Sequence, residues 1–243
     1  MLTDHLLALN DNYNEAIEHP FLRAIGNGTA SVESLSLWLS QDRIYAAHAY
    51  PRFIAHLITH IPFSSSDAIA SPREESNQYI LGVLSFCIQN VVREAQFFLQ
   101  TAKKNSLDLD CWIERKETKE YVETMLRIAS EGTLGEGLVF LWAMEKMYLD
   151  AWTFVGRIAQ ENSHANTNVQ LLAREFVKNW TNTDFQKFVR ELAHIVDGLD
   201  IAPDTEPWRR AEAVWNTVVS LETGFWPRIG EDISESSKKE AAQ

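Results

Sequence analysis

Three carboxylic side chains stand where apolar residues belong. Asp42 lies in LWLSQDRIYAAHAYPRF (Leu37–Phe53), with Leu35 and Trp38 seven and four residues before it and Tyr45 and Ala49 three and seven after, all on one helical face. Glu145 interrupts the stripe Leu134, Leu138, Leu141, Tyr148, Trp152, Val155. Glu222 interrupts Trp215, Val218, Phe225, with Trp226 alongside. An unpaired carboxylate among apolar side chains is costly or takes up a proton, so each acid needs a permanent partner or a visiting one. Taken singly, such an acid is more often a buried ion-pair or hydrogen-bond partner than a site residue. Three helices that each point one acid into aromatic surroundings argue instead for a ligand site.

The elements that position these acids read as helices. Apolar residues recur at helical intervals from Leu2 to Glu18, and His19-Pro20 ends that run because proline disfavours helix in the residue before it. FLRAIGNGTAS reads as a turn cluster, and Ser31 as the N-cap of the helix that carries Asp42. Pro51 inside that helix removes a backbone bond and predicts a kink just after Tyr50. The segment 61–76, rich in serine and bounded by Pro62 and Pro72, reads as a surface loop. Helical spacing resumes over 78–104, where Glu94 is a fourth acid, flanked by Val91, Phe97 and Phe98; a structural bond to Arg93 or a neighbouring helix is its simplest reading. A helix over 116–130 ends at Gly132, and Thr133 with Glu136 forms a capping box that opens the helix of Glu145. The polar stretch 162–168 reads as a loop, followed by helices over 169–179 and 184–197 with Trp180 at their junction. Pro203 and Pro207 lead into the helix of Glu222, which stops near Pro227. No segment alternates as a strand does. The expectation is one all-α domain over residues 1–230, a bundle of about eight helices, with a polar tail over 231–243.

Composition narrows the function. A net charge of −12 opposes binding to nucleic acid or anionic membranes, both of which need clustered Lys and Arg. Eight tryptophans in a 45% apolar chain suit an aromatic-lined cavity for a small or neutral ligand. Two cysteines, Cys87 and Cys111, make neither a disulfide framework nor a metal cluster, and no stretch reaches the length of a membrane span. These features read as a soluble, cytoplasmic protein. Cys87 among Leu84, Phe86 and Val91 reads as an inert buried thiol, and His48 and His56 as helix-surface or core residues.

With those residues placed, the chain resembles the TenA/THI-4 family of thiaminase II-like proteins, which have a haem-oxygenase-like helical fold. The resemblance is carried by HPFLRAIGNGT (His19–Thr29), WLSQDRIY (Trp38–Tyr45), Tyr121 followed eleven residues on by Gly132, and LETGFW (Leu221–Trp226). It implies that Asp42 grips an aminopyrimidine ring, that Glu222 is catalytic, and that Tyr45 and Tyr121 line the pocket. Met144 occupies the position at which thiaminase II enzymes carry a nucleophilic cysteine, and a thioether cannot form that covalent adduct. LWAMEKMYLDAW and WTNTDF (Trp180–Phe185) instead resemble the cysteine-less branch, in which a glutamate replaces the thiol. By that resemblance Glu145 becomes a site residue, and the activity is hydrolysis of aminopyrimidine fragments of degraded thiamine to hydroxymethylpyrimidine. Tyr45, Tyr121, Tyr148 and Trp180 are the faces available to stack on the ring, and Glu145 and Glu222 the pair of carboxyls available for catalysis. The resemblance also implies a homo-oligomer, and neither a cofactor nor a metal is expected.

The residues suit that substrate. One carboxylate can engage the amino group and adjacent ring nitrogen of a 4-aminopyrimidine, and aromatic faces can stack on the ring. Two carboxyls of split pKa can share proton delivery and water activation. Two alternatives differ in class. A non-catalytic pyrimidine-binding protein would keep Asp42 and the aromatics without needing both glutamates. A di-iron oxidase would use Glu191 and His194 of ELAH, but it usually needs a second His on a facing helix, and none can be assigned.

Overall fold

The structure is a computed structural model that describes residues 1–9, 12–162 and 167–233. Among these the chain is all helix, as expected, with eleven α-helices and one π segment. There are more helices than eight because the N-terminal run divides into α1 (Leu2–Ala8) and α2 (Tyr13–Ile17). The expected turn after His19 is also a helix, α3 (Pro20–Asn27). His19 caps it, Pro20 sits in its first turn, where a missing N–H costs nothing, and Gly28 ends it at φ 78°. The two glycines of that segment therefore act differently: Gly28 terminates, whereas Gly26 lies within the helix. A Cβ on Gly26 would come within 2.7 Å of Ile158 Cβ, so its absence lets α3 lie against the central helix α8 (Leu134–Glu161).

The helix of Asp42 is α4 (Val32–Ile44), and Ser31 caps it by accepting from the Ser34 N–H. It runs into the π segment Tyr45–Ala49 and then α5 (Tyr50–Thr59). Pro51 explains the change of winding. It cannot donate to the carbonyl four residues back and its ring clashes there, and the wider π turn relieves the conflict, with the Tyr50 N–H reaching back to Tyr45 C=O. The irregularity therefore precedes Tyr50 and re-aims Tyr45, three residues after Asp42. The serine-rich loop is shorter than expected, because Ser71 caps α6 (Pro72–Asn105) and residues from 72 onward are helical. Next come α7 (Lys116–Glu131), the capping box of Thr133 and Glu136, α8, α9 (Asn168–Trp180), α10 (Thr183–Asp197) and α11 (Glu206–Phe225). The expected loop at 162–168 falls largely on residues outside those described.

Helix α8 is the axis of the bundle, packed by α3, α9, α10 and α11. Its residues Gly137–Met144 are buried without interruption, which is why its sequence is apolar all round. At one end Trp38, Trp152, Trp180 and Phe176 interlock, with the Trp152 and Trp180 rings stacked 5.0 Å apart. The end of α11 is anchored by Arg115, which donates to the Phe225 carbonyl and forms two bonds to Glu231. Asp232 accepts from the Ser31 hydroxyl. These two acids belong to the segment expected as a polar tail, whose residues 234–243 lie outside those described. No helix among the described residues is long and apolar enough to cross a membrane.

Candidate active site

Eight elements converge on one small cavity. Asp42 comes from α4, Tyr45 from the π segment, Tyr50 from α5, Glu94 from α6, Tyr121 from α7, Met144, Glu145 and Tyr148 from α8, Trp180 from α9, and Glu222 and Phe225 from α11. The seven residues singled out from sequence, Asp42, Tyr45, Tyr121, Glu145, Tyr148, Trp180 and Glu222, all line it. Tyr50 and Glu94 join them. Tyr50 carries no sequence signal beyond its place before Pro51. Glu94 carries one, an acid flanked by apolar residues, but the simpler structural reading underplays it.

Each acid is held by one neutral aromatic donor. Tyr148 donates to Asp42 (2.8 Å), Tyr50 to Glu145 (2.6 Å) and Tyr121 to Glu222 (2.7 Å), and the Trp180 indole N–H donates to Glu94. Tyr45 turns its hydroxyl to the Met144 sulfur, 2.7 Å away, and packs edge-on against Tyr121. No Lys, Arg or His is among the lining residues. Four carboxyls therefore share one cavity with no cation among the side chains that line it.

The electrostatic result follows from burial. Asp42 and Glu222 are each only 3% exposed. Burial pushes the Glu222 carboxyl up to about 8 against the opposing bond from Tyr121. Burial likewise pushes Glu145 up to about 8, opposed by the Tyr50 bond and assisted by the charges of Glu94 and Glu222. Burial raises Asp42 well above the usual carboxylate range, with Glu94 the next contributor. A ready-made split between Glu145 and Glu222 is absent, since their own environments raise both alike. The split arises when one ionises and its charge holds the proton on the other. Such a pair can give a proton and take one near neutral pH.

The remaining candidates lie elsewhere. Cys87 is buried, and burial raises its thiol, which agrees with an inert role. His48 and His56 are exposed on their helices. Glu191 pairs with Lys187 (3.6 Å), the His194 ring meets Tyr79, and neither residue lines the acid cavity.

Among curated relatives, a protein from Fusarium pseudograminearum named a probable transcription factor is 23% identical, aligned over 94% of this chain but 51% of its own length. A probable bifunctional TENA-E protein of Glycine max is 23% identical over 88% of this chain and 86% of its own. An aminopyrimidine aminohydrolase of Helicobacter pylori is 20% identical over 88% and 91%. Among solved structures, a TenA homologue from Pyrococcus furiosus superposes with a TM-score of 0.75 at 23% identity, covering 93% of this chain and 98% of that one. The family model extends over residues 7–231, nearly the whole bundle and all four cavity acids, and this chain belongs to the TENA/THI-4/PQQC family.

Proposed function

We propose that the protein hydrolyses 4-amino-5-aminomethyl-2-methylpyrimidine, or its N-formyl derivative, to the hydroxymethylpyrimidine, a salvage step for degraded thiamine. The observation that carries this reading is the set of protonatable carboxyls, each on its own aromatic donor, around one cavity whose wall presents Met144 and no thiol. The relatives named as an aminopyrimidine aminohydrolase and a TENA-E protein support it.

Asp42, oriented by Tyr148, accepts from the 4-amino group and the protonated neighbouring ring nitrogen, while Tyr45, Tyr121, Tyr148 and Trp180 enclose the ring. Glu145, held by Tyr50, positions and deprotonates water. Glu222, held by Tyr121, manages the proton of the departing nitrogen. For the amine the C–N bond breaks, the water oxygen bonds to the methylene carbon, and an ammonium ion leaves. Met144 cannot act as a nucleophile, so thiamine, whose cleavage uses the thiol in thiaminase II enzymes, is a poor substrate.

Incubating the purified protein with thiamine and with the two aminopyrimidines tests the reading, with chromatography of the pyrimidine product. Release of hydroxymethylpyrimidine from an aminopyrimidine and little from thiamine is expected. Rapid turnover of thiamine with neither aminopyrimidine consumed would overturn it, and tight binding of all pyrimidines without turnover would make this a binding protein.

A further inference from the structure

Each of the four cavity acids uses one oxygen. Tyr148 bonds Oδ2 of Asp42, Tyr50 bonds Oε1 of Glu145, Tyr121 bonds Oε1 of Glu222, and both Trp180 and Asn179 donate to Oε1 of Glu94. Among the described residues the second oxygen of each receives no protein donor, although Asp42 and Glu222 are almost wholly buried. Arg93, the nearest cation in sequence to Glu94, gives its guanidinium to Asn90 and Asn179, so its charge reaches Glu94 without a direct bond, across Asn179. A ligand that binds these carboxyls in their ionised form must bring several donors, and positive charge with them.

The four acids are not equivalent in place. The Tyr148 and Trp180 rings meet edge to face at 5.1 Å, so the donors that hold Asp42 and Glu94 are neighbours on one wall. Glu145 precedes Tyr148 by three residues on the same face of α8. Glu94 is thus next to Asp42 on the cavity wall, and its charge acts on both Asp42 and Glu145. On a 4-amino-5-aminomethylpyrimidine the two nitrogen-bearing positions are adjacent around the ring. A ring whose 4-amino group meets Asp42 would carry its aminomethyl nitrogen beside that position, where Glu94 is the neighbouring acid. An alkyl amine of this kind carries a proton at neutral pH, as lysine does, whereas its N-formyl derivative is an uncharged amide.

We infer that Glu94 is the counter-charge for the aminomethyl nitrogen, and that it makes the site select the cationic 5-aminomethylpyrimidine over the uncharged N-formyl compound. The inference rests on the aminopyrimidine reading of the cavity. It also gives the cluster a chemical reason: the charge of Glu94, after burial, is what opposes ionisation of Asp42, and a substrate ammonium relieves that conflict. Held as ammonium against Glu94, the nitrogen is already protonated when the C–N bond breaks, and the proton taken from water converts the released ammonia to ammonium.

The test compares the wild-type protein with Glu94→Gln, in which the amide oxygen still accepts from Trp180 and Asn179. Dissociation constants are measured for the aminomethyl and hydroxymethyl compounds, and kcat/KM for the aminomethyl and N-formyl compounds. The wild type should bind the amine roughly ten- to hundredfold more tightly than the uncharged alcohol of similar size. Glu94→Gln should lose that margin through the amine alone, changing alcohol affinity by less than about threefold and collapsing the kcat/KM preference for the amine. Equal losses for charged and uncharged ligands, or no loss, would overturn the role of Glu94 while leaving the hydrolase reading intact. A wild type that binds the alcohol as well as the amine would overturn it without recourse to any variant. A wild type that binds none of the pyrimidines would overturn both.

Discussion

Replacing Glu222 by glutamine should raise stability while abolishing turnover, a combination that a structural acid cannot produce. Glu222 is 3% exposed, and burial lifts its carboxyl from 4.5 to about 8, so the folded protein prefers it protonated and the unfolded chain does not. A folded pKa above the unfolded one contributes stability that is complete below pH 4.5 and is lost as pH rises through about 8. The loss is bounded by about 1.4 kcal/mol for each pH unit in that window. Glutamine keeps the bond from Tyr121 and never ionises, so this share of the pH dependence disappears. For a chain of this size each kcal/mol moves Tm by roughly 2–4 °C, so near pH 8 the variant should melt several degrees above the wild type, with the difference vanishing near pH 4.5. Turnover should fall by about 10²–10⁴-fold because the amide cannot exchange a proton. The assay is Tm against pH beside kcat at each pH. A variant less stable than the wild type at every pH, with activity lost only in proportion to the folded fraction, would refute the argument.

Glu145→Gln should cost a similar factor in kcat with substrate binding retained, and the double variant should lose far less than the product of the single losses, because both act on one transition state. Independent multiplication of the two defects, measured in single-turnover rates, would mean separate roles. Asp42→Asn exchanges a charge-assisted hydrogen bond of about 1.5–3 kcal/mol for a neutral one, so ligand Kd should rise at least about tenfold by calorimetry. If Kd held and only Tm moved, Asp42 would be a structural residue. Gly26→Ala would press a methyl against Ile158 Cβ and the Val155 carbonyl, where α3 and α8 have little room to part, and should destabilise by about 1–3 kcal/mol in denaturant unfolding. An unchanged midpoint would show that the two helices separate freely.

The sequence by itself determined the helical class, because apolar residues recur at helical spacing and none alternates. It also determined several boundaries, where capping chemistry is local: Ser31, and Thr133 with Glu136, act within one turn of themselves. It marked Asp42, Glu145 and Glu222 because an acid in an apolar stripe conflicts with its own helix face. What periodicity reports is which face a residue occupies, not what lies opposite. The bonds that orient the acids join Tyr50 to Glu145, Tyr121 to Glu222, and Tyr148 to Asp42, pairs 95 to 106 residues apart, so only the packing of the helices against one another decided them. Glu94 shows the difference most plainly. Locally it is an acid beside an arginine, which reads as an ion pair, but in the fold Arg93 turns to Asn90 and Asn179 while Glu94 meets Trp180 at the cavity wall. The winding at Tyr45–Ala49 was decided between the two levels. Pro51 made a regular helix impossible there, and the tertiary structure resolved the conflict as a π turn that carries Tyr45 into the site.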